Sequence, residues 1–158
     1  MSVAFRRDCD EEHLEPRFEL PIPPGRNLVT PRGYALIAEQ VAALDAELAA
    51  DLAEDERKAL LRDARYWRNR LTSAQLAPAP SGDIVALGTR VTIDRDGQAR
   101  TFDIVGHDES DPANDRISFA SPLARALIGA EVGQECELPN SDVPIAVTAI
   151  EIVPLSPA

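Results

Sequence analysis

Residues 30–76 read TPRGYALIAEQVAALDAELAADLAEDERKALLRDARYWRNRLTSAQL, and within them Tyr34, Ile37, Val41, Leu44 and Leu48 recur at spacings of three and four. Leu60, Ala64, Trp67, Leu71 and Ala74 do the same. This recurrence places the apolar side chains of each segment on one stripe of an α-helix, the pattern of a coiled-coil seam. Thr30-Pro31 opens the first helix, with a hydroxyl able to cap free amides and a proline whose missing N–H costs nothing at the first helical position. A reversal at residue 54 sets Tyr34 against Ala74, Ile37 against Leu71, Val41 against Trp67, Leu44 against Ala64 and Leu48 against Leu60. The expectation is therefore an antiparallel coiled-coil helical hairpin over residues 30–76. Its tip is the acidic Asp51-Leu52-Ala53-Glu54-Asp55-Glu56, and Arg57, Lys58, Arg62, Arg65, Arg68 and Arg70 line the second helix.

Outward from the hairpin, Ala77-Pro78-Ala79-Pro80-Ser81-Gly82 ends helix and starts extended chain, so a linker is expected at residues 77–83. From Ile84 the apolar period becomes two. Val91 and Ile93, then Phe102 and Ile104, flank Asp96-Gly97, the chemistry of a tight hairpin turn. Ile117 and Phe119 make a short strand. Ser121-Pro122 opens a short helix through Leu123, Leu127 and Ile128 that Gly129 closes, and a final strand starts at Val143 and runs toward Ile152. Residues 84–158 thus read as a small α+β domain, an antiparallel sheet carrying one helix. Residues 1–29, with Pro16, Pro21, Pro23, Pro24 and Gly25 among charges, read as an extended arm whose Phe18, Leu20 and Ile22 could lie along a groove of the body.

Composition bounds the function. The chain has 158 residues, a formal charge of -11 and 4% aromatics. No apolar run approaches the roughly 18 residues that cross a bilayer. Arg6, Arg7 and Asp8 stand where a secretory signal would be apolar, so a cytoplasmic protein without a membrane partner is expected. Cys9 and Cys136, with only His13 and His107 to join them, predict neither a disulfide framework nor a structural metal site. Acidity on this scale repels nucleic-acid phosphates, so any work on DNA or RNA must be mediated by another protein. Residues 77–158 hold 5 basic and 13 acidic side chains, against 7 and 8 in residues 31–76. No glycine-rich phosphate loop, Ser/His/Asp set or Cys/His pair is present, so the chain is not expected to be an enzyme.

One long run carries a resemblance: Ile104-Val105-Gly106, Asp108-Glu109, Asp111-Pro112, Arg116-Ile117-Ser118, Ser121-Pro122-Leu123-Ala124-Arg125-Ala126-Leu127-Ile128-Gly129 and Val132-Gly133. Together with Leu28-Val29-Thr30-Pro31-Arg32-Gly33 and the tip, it is similar to the Gre family of bacterial transcription elongation factors over about residues 28–153. The resemblance implies an FKBP-like C-terminal domain docked on bacterial RNA polymerase at the rim of its secondary channel. The coiled coil would enter the channel, and the polymerase would cut backtracked RNA. It implies that the tip carboxylates Asp51 and Glu54, with Asp55 beside them, act in the polymerase active site. There Asp51 and Glu54 would share its Mg2+, a hard cation that takes one or two carboxylates and keeps waters or phosphate oxygens. No cofactor of the chain's own is implied, contact with nascent RNA and DNA is indirect, and a monomer is expected. Ser121, Pro122 and Arg125 are the candidate polymerase-docking residues.

The chain departs from that family in length. From Gly33 to the tip is about 20 residues, roughly 30 Å of helix, several turns shorter than the family's hairpins. The alternative is therefore a regulator or competitor that occupies the channel without stimulating cleavage. Bland readings stand beside each feature. Acids at a helix start are favoured by its dipole. The arginines of the second helix serve as partners for Glu39, Asp45 and Glu47 across the hairpin rather than as an RNA track. Trp67 reads as seam, with a possible wedge role at the hairpin base. Asp108, Glu109, Asp111 and Asp115 read as a solvated loop or part of the docking face, His107 as exposed, and Cys136 as an inward strand residue without an activated thiolate. Prolyl isomerase activity is not expected, since Phe102 and Phe119 are the only aromatic rings the C-terminal domain offers for a pocket.

Overall fold

The computed structural model describes residues 19–154. Cys9, His13, Phe18 and the start of the expected arm lie outside the described residues. Two helices fold back on each other, α1 (Pro31–Leu48) and α2 (Glu54–Ser73). Thr30 caps α1 by accepting from the Gly33 amide at 2.9 Å, and Pro31 takes the first helical position. The reversal occupies residues 49–53, short of the expected pivot at residue 54. The cause lies in the charges: Glu54, Asp55 and Glu56 form the first turn of α2, where carboxylates face the positive end of the helix dipole. Arg57 then reaches back to donate to the Leu48 and Ala50 carbonyls, both at 3.2 Å, closing the C-terminal end of α1.

Burial along the helices is uneven. Ile37, Leu44 and Ala64 are buried, while Val41, Leu48, Leu60, Trp67, Leu71 and Ala74 are half-covered. Tyr34, expected in the seam, is 42% exposed. Gly33, one residue earlier, is buried instead, packed against the Glu109 carboxylate of the C-terminal domain.

Short strands β1 (Leu28–Val29) and β2 (Gln75–Leu76) bracket the helices and pair in parallel. Residues 27–30 are packed rather than free: Asn27, Val29 and Thr30 are buried. Leu20 and Ile22, by contrast, are exposed.

The C-terminal sheet contains β3 (Thr89–Arg95), β4 (Gln98–Val105), β5 (Arg116–Ser118), β6 (Glu135–Cys136) and β7 (Ile145–Ile152), in the order β5-β4-β3-β7-β6. Asp96 and Gly97 both have positive φ and join β3 to β4 in a two-residue turn, as Asp-Gly requires. Thr89, Val91 and Ile93 point into the core at a period of two. The sheet is not wholly antiparallel as expected: β5 runs parallel to β4. Residues 106–115 carry the chain back through two short 3-10 turns, far enough for a crossover in place of a hairpin.

Helix α3 (Pro122–Leu127) lies on this sheet, with Ala124 and Leu127 buried among Val85, Phe102, Ile104 and Ile145. Cys136 belongs to the same core, where burial pushes its thiol above its ordinary pKa and away from thiolate reactivity. No helix among the described residues is long and apolar enough to cross a membrane.

Candidate functional site

At the far end of the helices, Asp51 stands in the connecting turn and Glu54 on the first residue of α2. Two residues three apart on one helical turn would aim both carboxylates one way. Because Asp51 is not helical, that geometry does not apply. Asp51, Glu54, Asp55 and Glu56 are all exposed, and Glu54 pairs with Lys58 at 3.3 Å across one turn of α2. Among the described residues no three His, Cys, Asp or Glu side chains gather as a metal site. The tip therefore presents exposed carboxylates without a complete metal site among the described residues.

Below the tip, the arginines of α2 divide. Arg68 pairs with Asp45 across the helices, as expected, and Arg65 with Glu19 at 2.7 Å. Arg70 does neither. Its side chain is 3% exposed and donates to Asp108 Oδ2 at 2.6 Å and to Asn27 Oδ1 at 2.7 Å.

On the C-terminal domain, Ser121 accepts from the Ala124 amide at 3.3 Å and so caps α3, a structural task, while Pro122 follows at the first helical position and is exposed. Arg125 is exposed, and its side chain makes no hydrogen bond or ion pair among the described residues. Exposed Ile84, Ile128 and Val132 lie in the same part of the domain, where Ile84 bridges to Glu131. An unpaired cation beside apolar side chains matches the composition of a protein-docking patch.

The acidic run 108–115 corrects the expectation of a solvated loop. Asp111 and Asp115 do remain at the surface, and His107 is exposed. Asp108 and Glu109, on the 3-10 turn His107–Glu109, have side chains only 3% and 2% exposed. Asp108 accepts from Tyr66 and Arg70 of α2. Glu109 accepts from the Thr30 hydroxyl at 2.6 Å and from Arg32, both at the start of α1. Asn27 completes the cluster by donating to the Arg70 carbonyl at 2.7 Å.

Burial, with help from Asp108, holds the Tyr66 phenol well above its usual range. Tyr66 also stacks edge-on against Trp67, ring centroids 5.2 Å apart. Arg32 Nη2 is the one buried side-chain nitrogen or oxygen without a protein partner among the described residues, and Arg32 lines a small cleft with Gly88, Val153 and Pro154. Sequence reading missed this cluster because charged residues in a polar run look solvated. The available signal was a glycine in two of the contributing runs, Gly33 next to Arg32 and Gly106 two positions before Asp108.

Residues 79–153 match the family model described as "Transcription elongation factor, GreA/GreB, C-term". The chain is similar to transcription elongation factor GreA of Sphingopyxis alaskensis, 34% identical over 146 residues, covering 77% of this chain and 92% of that protein. It is similar to transcription elongation factor GreB of Pseudomonas aeruginosa, 32% identical over 143 residues, covering 75% and 85%. Both alignments reach past the C-terminal sheet into the helices. Among solved structures, GreA factor homolog 1 (Gfh1) of Thermus thermophilus is 21% identical with a TM-score of 0.39, covering 80% of this chain and 99% of that chain.

Proposed function

This chain belongs to the GreA/GreB family of transcription elongation factors, and from that premise we propose that it acts on bacterial RNA polymerase, reaching into the secondary channel with its helices while the C-terminal domain holds the rim. In this reading the helices form a coiled coil and the base is FKBP-like. Arg125, with Pro122 and the surrounding apolar side chains, meets the polymerase, and Ser121 holds the helix that presents them. The observation that carries the proposal is the separation of parts. Helices of 18 and 20 residues, about 27 and 30 Å long, raise exposed carboxylates on an end remote from the sheet.

Asp51 and Glu54, with Asp55 alongside, would supply carboxylate oxygens at the polymerase's own Mg2+, which activates water for phosphodiester hydrolysis when bound. The factor's residues bind and orient, and the polymerase performs the cut. The first reading is therefore stimulation of cleavage of backtracked RNA.

A second reading, occupation of the channel without cleavage, is favoured by the short reach of α1 and by the loss of the shared helical geometry at Asp51 and Glu54. The test adds purified protein to halted, backtracked elongation complexes and follows release of short 3′ RNA fragments. Release supports the first reading. Displacement of another channel-binding factor without release supports the second. Absence of both, with no affinity for polymerase, overturns the proposal.

A further inference from the structure

Two sequence runs far apart in the chain, residues 28–33 and 104–109, meet at the base of the helices. Their contact is close enough to require glycine at Gly106, where backbone meets backbone, and to crowd Gly33 against a side-chain carboxylate. A Cβ on Gly106 would stand 2.7 Å from the Leu28 carbonyl oxygen, and one on Gly33 would stand 2.7 Å from Glu109 Oε2. At this contact one 3-10 turn sends adjacent carboxylates to different helices, Glu109 to Thr30 and Arg32 of α1's start and Asp108 to Tyr66 and Arg70 near the end of α2. A single attachment would leave the helices free to swing about it. Two attachments on separate helices fix tilt and rotation together. These bonds are directional and shielded from water, so misalignment leaves buried charge unpaired.

We propose that Arg70–Asp108 and Arg32–Glu109 are positioning pairs that set the direction in which the helices leave the C-terminal sheet, and hence where Asp51 and Glu54 are delivered. The functional half of this proposal rests on the polymerase reading above. The geometric half does not.

The geometric half is tested on the full chain without polymerase. Spin labels are placed at Ala53→Cys and Gln98→Cys, both exposed, in a Cys9→Ser background in which Cys136 is buried. Pulsed dipolar spectroscopy then reads the distance between tip and sheet. The unsubstituted junction gives one narrow distribution. Asp108→Asn and Glu109→Gln, singly and together, keep shape but remove charge, and are expected to broaden or shift it. Arg68→Gln, which breaks only the exposed pair with Asp45, leaves it unchanged. An unaltered distribution in every folded junction variant overturns the proposal, and the single substitutions supply folded protein should the double one unfold.

For the functional half, junction variants should keep their polymerase affinity, set by the C-terminal domain, while losing about a hundredfold in the tip's activity, cleavage or occlusion. Equal loss of affinity and activity overturns positioning. A parent protein with no polymerase affinity overturns the proposed function and leaves the distance result standing.

Discussion

Arg68 and Arg70 are two positions apart on one helix and have opposite surroundings. Arg68 and its partner Asp45 are half in water, whereas Arg70 and Asp108 are both 3% exposed. Exposed pairs contribute about 0–1 kcal/mol, while stripping one partner from a buried pair costs about 3–5 kcal/mol because the other charge is left desolvated. Urea denaturation should therefore show Arg68→Met within about 1 kcal/mol of the parent and Arg70→Met destabilised by about 3–5 kcal/mol. Comparable small losses for both would mean that Arg70 is not buried against Asp108 in solution.

Tyr66 gives a pH signature at the same cluster. Its folded pKa is raised by burial and by Asp108, so the native state holds the phenolic proton where the unfolded chain releases it. Its stabilising contribution is complete below the ordinary value of about 10 and falls away as pH rises above it. In a Tyr34→Phe background, tyrosinate absorbance should lag well past that value and rise together with loss of folded structure. Ionisation near pH 10 in a protein that stays folded would contradict the burial.

Among the elements, α3 shows what a local signal can specify. Ser121, Pro122 and Gly129 fixed its ends in the reading of the chain, and the observed helix runs Pro122–Leu127 with the Ser121 cap in place. Ser121→Ala should cost about 1 kcal/mol, measured as a lower thermal midpoint. The Asp96-Gly97 turn and the two long helices were legible for the same reason, since period and turn chemistry act over a few residues. The direction of β5 was not legible, because pairing with β4 depends on how residues 106–115 fold between them. Nor was the burial of Asp108 and Glu109, which is decided by partners about forty to eighty positions away. Gly106 stands where those distant elements touch, so Gly106→Ala should force the Leu28 carbonyl aside and destabilise by about 1–3 kcal/mol. Hydrogen exchange would then show earlier opening at β1 and at the start of α1 than in the C-terminal sheet.

For the molecule as a whole, function depends on reach. If the first reading holds, Asp51→Ala with Glu54→Ala abolishes fragment release from backtracked complexes while polymerase affinity is kept, and unchanged release rejects the tip's role. If the second holds, the parent releases nothing, and inserting seven residues into each helix, about 10 Å, should gain release by carrying the carboxylates further.

The parallel pairing of β1 with β2 bears on how such variants behave. Neighbouring strands lie about 4.8 Å apart, so the chain enters and leaves the helices through almost one doorway. The helices are thus a cassette rooted at its stem. Nature or an engineer can lengthen, trim or transplant it by editing the free end, while the soil it grows from is left undisturbed.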